Sequence, residues 1–158
     1  MFGFLKAKKQ MIVSPVDGDI VALEEVPDEV FSQKMAGEGV AILPRSNTFV
    51  APVSGVVSKI FSTNHAFSIR TDMGVEVLVH IGLDTVALEG QGFERLVEEG
   101  AKVSVGQPII NADLDFILSQ GKATITPVVL NAEKKMRLNS DNVRTVREGE
   151  SLIEVVLK

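Results

Sequence analysis

Short apolar runs rich in Val and Ile recur along this chain, and nearly every one is cut off by Gly or Pro. Branched side chains fit a pleated, half-buried surface, and a run of a few such residues bounded by turn residues reads as a strand. Ile12-Val13, Ile20-Val-Ala-Leu23, Val40-Ala-Ile-Leu43, Val56-Val-Ser-Lys-Ile60, residues 75–81, Ile109-Ile110, Val128-Val-Leu130 and residues 152–157 all read this way. Most lie within about a dozen residues of a turn signal, the spacing of a sandwich or barrel. Helical patterning is confined to three short pieces. Val26-Pro-Asp-Glu-Val-Phe31 suggests a single turn. Phe93-Glu-Arg-Leu-Val-Glu-Glu99 and Leu114-Asp-Phe-Ile-Leu-Ser119, stopped by Gly100 and Gly121, suggest about two turns at most. The expected class is all-β: a compact antiparallel sandwich or barrel with a few short helical turns.

The chain also echoes itself. Ser14-Pro-Val-Asp-Gly18 and Ala51-Pro-Val-Ser-Gly55 share a small-Pro-Val-x-Gly pattern, each followed by an apolar stretch. Pro restricts the start of a strand and Gly permits a bend. Thr126-Pro-Val-Val-Leu130 is a weaker third form, and Glu99-Gly100 and Glu148-Gly149 give a second echo, of a Glu-Gly turn. Two related halves around one core are expected, since a solenoid would need more regular repeats. The expected organisation is a flexible N-terminal tail over residues 1–12 and one domain over 13–158.

Composition narrows the chemistry. There is no Cys, which removes disulfides, thiolate metal sites and Cys nucleophiles. A formal net charge of −5 argues against nucleic acid as a partner. No run reaches the roughly 18 apolar residues of a membrane span. The N-terminus lacks the long apolar stretch and cleavage site of a secretory signal, and a cytoplasmic setting is expected. Phe2, Phe4 and Leu5 followed by Lys6, Lys8 and Lys9 suggest weak contact of residues 1–9 with an anionic membrane surface.

The two His of the chain, His65 and His80, flank the turn-like Thr71-Asp-Met-Gly74. A hairpin with a two- or four-residue loop would set the two side by side on one face. A three-residue loop, Asp72-Met73-Gly74, would send them to opposite faces. Neutral imidazole is nucleophilic near pH 7, and phosphoryl transfer to it demands mainly positioning and charge stabilisation. The attacking nitrogen must be free, so the other must donate to something fixed; a carbonyl of the Ile81-Gly82 turn is a candidate. Thr63 could orient the His65 ring. A zinc site is the other reading of the pair, with Asp84 as a third ligand, and it would make the protein a zinc-dependent hydrolase.

Several motifs together resemble a known family. Val26-Pro-Asp-Glu-Val-Phe31, Met35-Ala-Gly-Glu-Gly39, Thr63-Asn-His-Ala-Phe-Ser-Ile69, Val79-His-Ile-Gly-Leu-Asp-Thr-Val86, Glu89-Gly-Gln-Gly-Phe93 and Thr126-Pro-Val-Val129 stand in the order and spacing of one family. It is the glucose-type IIA component of the bacterial phosphoenolpyruvate-dependent sugar phosphotransferase system. The resemblance runs from about Ser14 to the C-terminus. It implies the duplicated hybrid motif, a monomer and a phosphocarrier with a phosphohistidine intermediate. By motif, His80 resembles the phosphoryl acceptor, His65 its partner on the phosphoryl group, and Thr63 the residue that bonds that partner. Asp84 matches the acid that follows, with a role in tuning or partner contact.

The resemblance further implies a donor, the histidine-containing phosphocarrier protein, and an acceptor, a Cys on the IIB domain of a sugar permease. Phe31 and Phe61 match apolar residues of the partner-binding face, and Leu78 stands where some members have Phe. No cofactor is required, although zinc at His65 and His80 in a partner interface fits the family. Biotinyl and lipoyl carriers are also small two-halved β domains, and Lys34-Met35 and Lys135-Met136 weakly match their modified-Lys motif.

Overall fold

The computed structural model describes residues 8–130, 135–138 and 145–157. In chain order the first strands are Lys8–Val13 (β1), Gly18–Ala22 (β2), Glu38–Pro44 (β3), Thr48–Val50 (β4), Gly55–Ile60 (β5), Ala66–Arg70 (β6) and Glu76–His80 (β7). They are followed by Phe93–Arg95 (β8), Lys102–Val103 (β9), Pro108–Ala112 (β10), Thr126–Leu130 (β11), Lys135–Leu138 (β12), Thr145–Val146 (β13) and Ser151–Leu157 (β14). Two short helices, Glu29–Ser32 (α1) and Leu114–Ser119 (α2), start at Asp28 and Asp113, whose carboxylates accept from Val30 N and Phe116 N.

The fold is all-β, and the strand pairings are antiparallel. An eight-stranded sheet runs β13-β2-β3-β11-β7-β6-β5-β9, and two three-stranded sheets run β1-β14-β12 and β4-β10-β8. Val and Ile on the inner faces of all three close one core. Within the flexible tail expected over residues 1–12, residues 8–12 instead lie in β1, paired with β14, because Ile12 is fully buried opposite Ile153. Of the membrane contact expected of residues 1–9, the part carried by residues 1–7 lies outside the described residues. The helix expected over residues 93–99 is instead β8, because Arg95 and Phe93 pair with Ile110 and Ala112 of β10; tertiary pairing overrides a short helical pattern.

The two halves are real, and they interlock. Val13 N donates to Pro52 O at 2.9 Å, and Val50 N donates to Pro15 O at 2.8 Å, so the two Pro-Val segments exchange reciprocal bonds. Each segment leads into a strand that begins on its Gly. A Cβ on Gly18 would lie 2.3 Å from Leu43 O, and one on Gly55 2.2 Å from Arg70 O, so both glycines allow the same backbone approach. β13 flanks β2 through Val146 and Gly18 as β9 flanks β5 through Val103 and Gly55. The contiguous stretch β4–β10 is thus one half. Its counterpart is assembled from the two ends of the chain, β11–β14 and β1–β3.

The second echo is of a different turn from the one expected. The counterpart of Glu148-Gly149 is Val105-Gly106, not Glu99-Gly100. Arg147 and Ser104 each close a tight turn, accepting from Glu150 N and Gln107 N, and each turn's first N–H donates to the side chain of that fourth residue. Glu148 N donates to Asp17 and Val105 N to Ser54, again at equivalent places. Thr126-Pro-Val-Val-Leu130 is no third copy, because it lies inside β11. There Pro127, which has no N–H, marks the end of the β7–β11 ladder, one residue short of His80.

The outer face of the large sheet carries a second, smaller core. The loop between β2 and β3 folds over it, packing Leu23, Val26 and Phe31 against Ala41, Leu83 and Val129, with Leu78 alongside.

Candidate functional site

His80 is the last residue of β7, and Val77 and Val79 of that strand point into the main core. Alternation therefore puts His80 and Leu78 on the outer face, beside the second core. The hairpin takes the three-residue loop Asp72-Met73-Gly74, with Thr71 N donating to Val75 O and Gly74 in the left-handed region (φ 79°). His80 consequently faces Ala66, not His65. Strict alternation would then part the two imidazoles. They stay together because His65 precedes β6 and follows Asn64, itself left-handed (φ 60°). The ring centroids are 5.0 Å apart, with planes at 79°.

Each ring has one nitrogen fixed. His80 Nδ1 lies 2.7 Å from Gly82 O, so it donates there and leaves Nε2 with a free lone pair. Gly82 makes this possible. Its φ is 76°, and a Cβ would lie 2.6 Å from Ala123 O and 2.7 Å from Thr85 Cγ2. Thr85 donates its hydroxyl to Ile81 O at 2.6 Å, and Leu83 N donates to Ala123 O, so the turn behind His80 is held from both sides. His65 Nδ1 lies 2.6 Å from Thr63 Oγ1.

Both imidazoles are neutral near pH 7. Burial, and then the neighbouring His80, push His65 down to about 4. Burial also lowers His80, while the Gly82 carbonyl and the Asp28 carboxylate draw it back up. Phe31 stands against His80 (centroids 5.1 Å) and Phe61 stands edge-on to His65 (5.2 Å). The result is a neutral, partly desolvated nitrogen nucleophile beside a second ring.

Comparison with known proteins gives this geometry a family. The model of the phosphoenolpyruvate-dependent sugar phosphotransferase system EIIA 1 family matches residues 10–136. The chain belongs to that family. The glucose-specific EIIA component of Buchnera aphidicola subsp. Baizongia pistaciae is 46% identical over 147 residues, covering 93% of this chain and 88% of that protein. The N-acetylglucosamine-specific EIICBA component of Escherichia coli (strain K12) is 55% identical over 118 residues, 75% of this chain; the match spans only 18% of that longer protein. Among solved structures, glucose permease IIA from Mycoplasma capricolum superposes with a TM-score of 0.87 at 40% identity, over 98% of this chain and 99% of that one. This is a glucose-type IIA component, a phosphocarrier of the phosphotransferase system. Neither the biotinyl or lipoyl arm nor the zinc hydrolase finds support among these relatives.

The rest of the IIA surface departs from the sequence reading in instructive ways. Asp84 does not join the two His as a metal ligand: it is exposed, sits at φ 57° and forms an ion pair with Lys122 at 2.9 Å. Among the described residues no cluster of three His, Asp or Glu could hold a metal. Phe31 is only 4% exposed, so it is a wall behind His80 and not an open rim. Phe61 and Leu78 are half-buried, and Lys59 lies over the Phe61 ring at 4.9 Å. Among the described residues no helix is long and apolar enough to cross a membrane. Sequence reasoning missed Asp28, Lys122 and Arg95, whose guanidinium Nε donates to Asn64 Oδ1 at 2.8 Å. The Asp-x-x at the start of α1 was the one signal that could have drawn attention to Asp28.

Proposed function

We propose that His80 Nε2 accepts a phosphoryl group from the phosphorylated histidine-containing phosphocarrier protein and passes it to a Cys on the IIB domain of a glucose-type sugar permease. In the first step the new P–N bond forms at Nε2 as the P–N bond of the donor breaks, and the donor imidazole keeps the electron pair. In the second, a Cys thiolate displaces His80. The observation that carries this reading is the bond from His80 Nδ1 to Gly82 O, which fixes the tautomer with Nε2 free.

His65 stabilises the transferring group. With the Thr63 hydroxyl donating to Nδ1, the ring's proton sits on Nε2 and is offered to a phosphoryl oxygen. Phe61 and Leu78 form the apolar face a protein partner covers, with Phe31 as its floor, and Asp84 meets a basic group of a partner once Lys122 lets go. A zinc ion shared at His65 and His80 would require His65 to give up its Nε2 proton and would take a further ligand from a partner's carboxylate. We place the carrier in the cytoplasm as one monomeric domain that takes in strand β1 along with residues 13–158, with residues 1–9 touching the inner membrane surface.

Incubation with phosphoenolpyruvate, the first enzyme of the system and the phosphocarrier protein tests the reading. Mass spectrometry should find one acid-labile, base-stable phosphate on His80 and none in His80→Gln. Phosphate at full yield in that variant would refute the assignment.

A further inference from the structure

The turn that delivers Thr63 and His65 is closed at its base by Phe61 N donating to Ala66 O at 3.0 Å. It reverses over residues 61–65 with Asn64 N donating to Phe61 O at 2.7 Å, and it places Asn64 in the left-handed region. Asn tolerates that conformation better than most residues, but still at some cost. A side-chain tie on the turn comes from the other sheet. Arg95 of β8, half-buried, donates from Nε to Asn64 Oδ1 at 2.8 Å, and its guanidinium NH2 lies 3.5 Å from Phe61 O. The backbone of Arg95 is in turn fixed by pairing with Ile110 of β10, whose side chain is fully buried.

We propose that Arg95 is a positioning residue for phosphoryl transfer: its planar fork clamps the Phe61 and Asn64 ends of the turn and so holds the His65 ring on Thr63 and against His80. The inference rests on the reading of His80 as acceptor and His65 as stabiliser. Arg suits the task because its donors lie in one rigid plane, whereas a Lys ammonium offers a single point charge. Transfer chemistry is sensitive to small misplacements of a stabilising group, so a clamp remote from the phosphorus can still govern rate.

The test uses the full chain with labelled histidines. Arg95→Met should slow transfer from phosphorylated His80 to the IIB Cys by about 10- to 100-fold, while His80 still takes up phosphate to completion. In the same variant the His65 ring, followed by nitrogen NMR before phosphorylation, should titrate above the value of about 4 it has in the native chain. Arg95→Lys should recover part of both. Asn64→Gly suits the left-handed backbone better than Asn yet removes the acceptor, so it should lose as much as Arg95→Met; Asn64→Asp, which keeps an acceptor, should lose less. The Arg95→Met, Asn64→Gly double variant should be no slower than either single one. Native transfer and a native His65 titration in Arg95→Met, or in Asn64→Gly, would overturn the proposal. Should the native chain itself take no phosphate, the phosphocarrier reading fails, and the His65 titration still decides whether Arg95 sets the ring.

Discussion

The half made of β4–β10 and the half made of the chain's two ends share strand order, glycine positions and turn bonds, and they differ where the site lies. Between β5 and β6 the connection is short, residues 61–65, and delivers Thr63 and His65. Between β2 and β3 it is long, residues 23–37, and folds Phe31 over the sheet against His80. β7 ends in His80, whereas its counterpart β11 reads Thr126-Pro-Val-Val-Leu130, is wholly buried and carries no titratable group. The shared features are those that bury backbone and apolar surface. The side chains of the candidate site are not repeated: both His lie in one half, side by side through the β6–β7 pairing, and Phe31 reaches His80 from the other.

The largest effect expected from breaking this asymmetry is at His80. His80→Gln should lose all phosphate uptake at unchanged thermal stability, read by mass spectrometry and calorimetry. His65→Gln should still take phosphate but transfer it about 100-fold more slowly, because a charge-stabilising donor counts most in the transition state; rapid-quench kinetics would show this. The same variant has a signature in stability. His65 binds its proton less readily in the folded chain, near 4, than in the unfolded one, near 6.5, so native stability is fullest above 6.5 and falls as pH drops toward 4. Denaturant melts should show stability falling over that window, and His65→Gln should flatten part of it, because burial lowers His80 in the same direction.

Smaller effects test the shared frame. Gly18→Ala and Gly55→Ala each push a methyl into a carbonyl of the neighbouring strand, and each should cost about 1–3 kcal/mol. Equal losses support equivalence of the halves, and a difference of several-fold would argue against it. Smallest of all is Asp84→Asn, which removes an exposed ion pair with Lys122. Stability should fall by less than about 1 kcal/mol, while transfer with a partner changes by a larger factor in stopped-flow measurements.

The strands and the two His were legible because they depend on local signals: branched runs, and imidazole-bearing motifs that match a family in order and spacing. Register was not. Thr71-Asp-Met-Gly74 is compatible with more than one loop length, and the choice of three residues depends on Gly74 adopting positive φ. That choice alone would have parted the rings, and the left-handed Asn64, which restores their contact, gives no periodic signal. β8 read as helix because Phe93-Glu-Arg-Leu carries no alternation, and its partner β10 lies beyond another turn. Arg95 and Lys122 were hidden for the same reason: each acts on a turn about thirty or more residues away in sequence.

Which nitrogen of His80 is free decides where phosphorus bonds, and the position of the N–P bond reports that directly. After phosphorylation of chain carrying labelled histidines, nitrogen–phosphorus coupling in NMR should place the phosphate on Nε2 of His80, with Nδ1 still protonated and bonded to the Gly82 carbonyl. A phosphate on His80 Nδ1, or on either nitrogen of His65, would contradict it.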